Sequence, residues 1–170
     1  MKNGNKVSVY LAGSIESSAD LGKSWRNELT PFLEELNMEV NDPCKLEHHK
    51  LSGRHLNRLP QGIKHWHELK NCKEPHLRCR FKTYMDAIIM YDLDLVENKS
   101  DIIVLLWDRW SAGSSGEVTL ARKIGTPVYT VATVELPAWI SGCSERIFSN
   151  FDELKIFLKR NYKVKLEEPK

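Results

Sequence analysis

Glu117 ends the run Ser111-Ala112-Gly113-Ser114-Ser115-Gly116-Glu117, which follows the apolar stretch 102–107 and Asp108-Arg109-Trp110. The pattern predicts a strand that opens into a Gly/Ser loop and delivers one acid to positions N1 to N3 of a helix. There the unpaired backbone N–H groups and the helix dipole favour a negative charge, so the acid could be an ordinary first-turn residue. It could equally be a carboxylate held ready to attack an electrophilic carbon. Gly113 and Gly116 would let main chain approach a ligand closely, and Ser111, Ser114 and Ser115 could hold sugar hydroxyls or a phosphate through side chains and N–H groups. The run is not a phosphate-binding P-loop, because the Gly-Lys-Ser/Thr ending and its lysine are absent.

Two further acids, Asp92 and Asp94, fall near the end of a helical pattern over residues 83–98, whose apolar face is marked by Tyr84, Ala87, Ile88, Tyr91 and Leu95. Either could be a solvated surface group. Paired with Glu117, one of them would supply the second group that glycosyl transfer needs, to protonate or orient the leaving atom. Trp110, beside Arg109, offers a flat ring that could stack on a base.

These residues need a frame that brings them together. Residues 6–11 alternate as a first strand and run into Ala12-Gly13-Ser14. A helix follows over 24–36, with Pro31 as an expected kink or break. A short strand at 39–41 stops at Asp42-Pro43, residues 101–107 form a continuous apolar strand, and 127–134 form another. Helices are expected at 117–124, closed by Gly125, and at 150–160, with Ser149 or Asn150 as cap. Strands alternating with helices predict a three-layer, Rossmann-like (flavodoxin-like) α/β fold, with a parallel sheet of about five strands and helices on both faces. In such sheets the ligand crevice lies beyond the carboxyl ends of the strands. Gly13, Ser14, Ser17 and Ser18 should converge there with Asp42 and with the stretch from Asp108 to Glu117.

Residues 44–80 break the regularity, and they read as an irregular His-rich insert or lid on a single domain spanning 1–170. All six histidines and three of the four cysteines lie there, yet Cys72 and Cys79 are too far apart in sequence for a paired zinc ligand set, and no metal is expected. The basic run from Lys64 to Lys82, with Trp66 interleaved, could cover an anionic substrate, grip nucleic acid or simply be solvated. A net charge of +2 argues against a general nucleic-acid coat. With no signal-peptide core and no membrane-length apolar segment, a cytoplasmic protein with reduced thiols is the expectation.

The motifs Val9-Tyr10-Leu11-Ala12-Gly13-Ser14, Tyr91-Asp92-Leu93, Ser100-Asp101-Ile102, the Ser111 to Glu117 run and Gly125-Thr126-Pro127-Val128 together resemble the ordered signatures of the nucleoside 2-deoxyribosyltransferase family. That superfamily includes the 2'-deoxynucleoside 5'-monophosphate N-glycosidases. The resemblance implies cleavage or exchange of an N-glycosidic bond without a cofactor. It makes Glu117 the nucleophile at C1', Asp92 the acid that assists the base, and Tyr10 an aromatic residue near the nucleophile. It implies a deoxynucleoside or deoxynucleotide and a free base as partners, and a homodimer or larger homo-oligomer. Ser111, six residues before the nucleophile, stands where many transferases carry an aspartate; with Ser14, Ser17 and Ser18 it points toward a 5'-phosphate. One added residue at Asn98-Lys99 leaves Asp94 as an alternative to Asp92. A non-catalytic nucleotide sensor and a nucleic-acid-binding module are the readings of other classes.

Overall fold

The computed structural model describes residues 6–15, 17–45 and 75–162. In chain order the elements are β1 (Ser8–Gly13), α1 (Lys23–Glu35), β2 (Glu39–Asn41), a 3-10 turn (Pro43–Lys45), α2 (Pro75–Asp94), a π-helical turn (Leu95–Lys99), β3 (Ile102–Trp107), α3 (Ala112–Ile124), β4 (Val128–Ala132), α4 (Ala138–Cys143), β5 (Arg146–Phe148) and α5 (Phe151–Tyr162). The five strands form one parallel sheet in the order β2-β1-β3-β4-β5. This is the three-layer α/β sheet that the alternation of strands and helices predicts. No helix among the described residues is long and apolar enough to cross a membrane.

The chain divides into two compact units, one formed by Met1–Cys44 with Leu93–Lys170 and the other by Lys45–Asp92. The first holds the whole sheet. Strand alternation splits its core: Val9, Leu11, Ile102, Val104, Tyr129, Val131 and Phe148 face one side and pack against Leu29, Leu33, Leu154 and Leu158 of α1 and α5. Full burial of each such side chain contributes about 1.5–3 kcal/mol. Tyr10, Ile103, Leu105 and Trp107, one residue out of phase, take the opposite face together with Val118 and Ala121 of α3.

In the second unit the described residues are Lys45 and most of α2. That helix begins at Pro75, eight residues before the expected start, so residues 75–80 continue a helix where an irregular segment was predicted. Proline at the first helical position has no N–H to waste there. The rest of the His-rich segment, residues 46–74, lies outside the described residues.

Other differences are local. Pro31 does not break α1, which runs from Lys23 to Glu35 through it. Asp20 starts this helix in place of a side chain at the N-cap Gly22, accepting from the Gly22 N–H at 2.9 Å and the Ser24 N–H at 2.7 Å. The Ser24 hydroxyl and N–H hold the Asp20 carboxyl well below the usual carboxylate range. At α5 the expected cap is Asn150, whose Oδ1 accepts the Glu153 N–H at 3.0 Å. The short elements α4 and β5 carried no individual signal in the sequence.

Candidate active site

After β1 the chain turns to the face that holds α1, and after β3 to the face that holds α3, so the strand order reverses between these neighbours. A crevice opens at such a switch point, beyond the carboxyl ends of the two strands. Ser14 follows β1 directly, and Asp108 follows β3.

Glu117 is not in the first turn of its helix. Ser111 is the N-cap of α3 and Ala112 its first residue, which puts Glu117 sixth. The Gly/Ser stretch is therefore helix rather than loop. Ser111 explains this: its hydroxyl oxygen accepts the Ser114 N–H at 3.2 Å and the Ser114 hydroxyl at 3.0 Å, and its carbonyl accepts the Ser115 N–H at 3.1 Å. A capping serine of this kind is worth about 1 kcal/mol, enough to offset one helical glycine. In the second turn the direct pull of the helix start on a carboxylate has faded, so the first-turn explanation of Glu117 loses its force.

What holds Glu117 instead is β1. The Tyr10 hydroxyl donates to Glu117 Oε1 at 2.7 Å. Tyr10 is fully buried, with its ring locked between sheet and helix, so it fixes the half-buried carboxylate rigidly. Residues 107 apart in sequence are thus brought into one hydrogen bond.

The segments that follow β1 and β3 are hydroxyl-rich. Ser14, 5% exposed, shares a hydrogen bond with the Ser17 hydroxyl, while the Ser18 hydroxyl donates to Asp20 at 3.2 Å. Arg109 links the loops: its Nη1 donates to the Ser17 carbonyl oxygen, and its guanidinium pairs with Asp108 at 3.0 Å. This cation was passed over in the sequence, where it appeared only as a neighbour of Trp110. Trp110 is 67% exposed, and its ring stands perpendicular to that of the buried Trp107 at 5.9 Å.

The candidate residues separate by surroundings. Ser111 accepts two hydrogen bonds from Ser114, and its own hydroxyl proton can still be donated outward. Ser114 is 2% exposed and turned to Ser111, and the Ser115 hydroxyl is turned back to the Ser111 carbonyl at 2.8 Å. A Cβ added at Gly113 or Gly116 would meet nothing within 4 Å. Asp42, expected to face a ligand, is instead turned inward: Oδ1 lies 3.5 Å from Arg26 Nε and accepts the Cys44 N–H at 2.9 Å. The reason is a buried cation that the sequence reading missed, Arg26, which is fully inaccessible.

Asp92 is half-buried on α2 and is the last residue of the second compact unit. Asp94 ends α2 and accepts from Asn98 Nδ2 at 2.7 Å. Between them and β3 lies the π-helical turn, with Leu95 and Val96 buried. A π-turn takes up one extra residue relative to a regular α-helix.

The chain matches no family profile and no curated protein. Solved structures do match. A conserved protein from Enterococcus faecalis V583 is 16% identical, with 92% of this chain and 99% of that one covered at a TM-score of 0.56. The CMP N-glycosidase BcmB of Clostridium botulinum is 17% identical, with 90% and 98% covered at 0.52. A 2-deoxyribosyltransferase of Bacillus psychrosaccharolyticus is 17% identical, with 88% and 90% covered at 0.48. The chain thus shares its fold with the Enterococcus faecalis protein and with the CMP N-glycosidase.

Proposed function

We propose that this protein is a glycosyl-transferring enzyme that breaks the N-glycosidic bond of 2'-deoxynucleoside 5'-monophosphates through Glu117. The observation that carries the reading is the 2.7 Å hydrogen bond that buried Tyr10 donates to the Glu117 carboxylate. In the reaction a Glu117 oxygen forms a bond to C1' as the C1'–N bond breaks, and the bond's electron pair leaves with the base. Protonating that base is the role the resemblance gives to Asp92. Asp94 is the alternative for that role. Water or a second base then attacks C1', the sugar leaves and Glu117 is restored.

Support for a 5'-phosphate comes from the Arg109 guanidinium at the mouth of the crevice, the donatable Ser111 proton and the Ser14 and Ser17 hydroxyls. The fold shared with a CMP N-glycosidase agrees with it. Incubation with deoxynucleosides, their 5'-monophosphates and CMP, with and without a free second base, tests the reading. Base release from a deoxynucleotide is expected. Turnover of nucleosides alone would remove the phosphate, exchange without free sugar would make the enzyme a transferase, and inertness toward all of them would sink the proposal.

Gly116→Ala separates ligand contact from helix design. With open space beside it, the added methyl should raise stability by about 0.5–1 kcal/mol in urea denaturation, as for alanine over glycine in a helix. If the main chain beside Glu117 meets the sugar, the same variant should bind deoxynucleotide at least about tenfold more weakly in calorimetry. A variant that is more stable and binds as before would show that the glycine has no ligand to admit.

A further inference from the structure

Strand β2 pairs with β1 only from Ser8 to Tyr10, and beyond Tyr10 the β2 side of β1 has no strand neighbour among the described residues. The Val7 carbonyl accepts the Glu39 N–H at 2.9 Å, so carbonyls two and four residues past Val9, those of Leu11 and Gly13, point to the same vacant side. Arg26 fills it. Its Nε and Nη2 each donate to the Leu11 carbonyl at 3.2 Å, and Nη2 donates to the Gly13 carbonyl at 3.0 Å. Nη1 donates to the Gly22 carbonyl at 2.7 Å, the Asp42 carboxylate lies 3.5 Å away, and the guanidinium sits 4.5 Å from the centre of the Trp25 ring.

We infer that Arg26 is a positioning residue of the crevice: its rigid fork continues the β2 side of the sheet for two more rungs and thereby sets where the turn carrying Ser14, Ser17 and Ser18 stands over the substrate. The guanidinium is suited to this because it presents five donors in one plane and stays charged at any working pH. A buried cation left unsatisfied would cost several kcal/mol, and here three carbonyls and one carboxylate answer it. Gly13 and Gly22 leave room for the side chains of this cluster: a Cβ at Gly22 would come within 2.4 Å of Arg26 Nη1, and one at Gly13 within 2.9 Å of the Trp25 ring. The same strand carries Tyr10 on its other face, so the end of β1 that receives the fork is continuous with the residue that orients Glu117. The consequence for substrate rests on the reading given under Proposed function.

Two measurements test it. In the wild-type protein the Arg26 Nη protons should appear as separate, slowly exchanging NMR signals; a single averaged signal would overturn the fork. Arg26→Lys keeps the charge but cannot bond Leu11, Gly13 and Gly22 together. It should raise KM for the accepted nucleotide about tenfold while kcat stays within about threefold, the signature of lost binding that is equal in ground and transition states. Amide exchange at Ser14, Ser17 and Ser18 should speed up in parallel. If Arg26→Lys lowers Tm yet leaves KM and these amides unchanged, Arg26 only supports the fold and the inference fails. A wild-type protein inert toward every nucleotide would sink the proposed function, while the NMR signals and the amide exchange would still decide the role of Arg26.

Discussion

Glu117→Gln should lower the rate of base release at least about 10³-fold while leaving the protein folded and able to bind its nucleotide. The amide is nearly isosteric, and its oxygen can still accept from the Tyr10 hydroxyl, so the hydrogen bond that ties α3 to β1 survives. What is lost is the nucleophile, because a neutral amide oxygen does not form a stable ester with C1'. Stopped assays should therefore show no free base, calorimetry should show binding within a few-fold of wild type, and mass spectrometry should find a sugar adduct on the wild-type chain only. Activity within tenfold of wild type would end the nucleophile assignment. Retained binding with no turnover even in the wild type would favour a nucleotide sensor on the same fold.

Much of this frame was legible in the sequence because it rests on long periodic signals. The apolar run from Ile102 to Trp107 could only be a strand covered on both faces, and it lies at the centre of the sheet. β5 and α4 were missed because Arg146-Ile147-Phe148 is too short to show alternation and Ala138–Cys143 too short to show a helical stripe. The start of α3 was misplaced for a different reason. Gly113, Ser114, Ser115 and Gly116 are poor helix formers, and composition alone reads them as loop, but the Ser111 cap decides the conformation locally. In α1 the apolar spacing suggests a stripe of Trp25, Leu29, Phe32, Leu33 and Leu36, and all five lie in or against the core, but Arg26 and Thr30 are buried beside Leu29 and Leu33 as well. A charged residue was turned inward because β2 stops early and leaves carbonyls to be answered. No pattern in the helix itself announces that. The Tyr10 to Glu117 contact joins the first strand to a helix more than a hundred residues away; the resemblance implied that the aromatic lay nearby, and only the sheet order shows why.

Gly22→Ala should be the most damaging small substitution in the first unit, and its comparison with Gly125→Ala shows why. Both glycines have a left-handed backbone, at φ 69 and φ 79, so either alanine meets a backbone cost of roughly 1–2 kcal/mol. At Gly125 that is the whole effect, since a Cβ there meets nothing within 4 Å. At Gly22 the methyl would lie 2.4 Å from Arg26 Nη1 and 2.4 Å from the Ser14 carbonyl oxygen. Neither neighbour can yield cheaply: Arg26 is buried and bonded to three carbonyls, and Ser14 follows directly on the end of β1. Moving the guanidinium would strand the Leu11, Gly13 and Gly22 carbonyls and the Asp42 carboxylate together, each loss costing about 1–3 kcal/mol if left unsatisfied. The expected destabilisation is therefore at least about 3 kcal/mol, or roughly 6–12 °C in Tm for a chain of this size, against about 1–2 kcal/mol for Gly125→Ala. Thermal and urea denaturation of the two variants side by side measure the difference. Equal costs would mean that the crowding around Gly22 is relieved by a small shift and that Arg26 is not held as tightly as its hydrogen bonds imply.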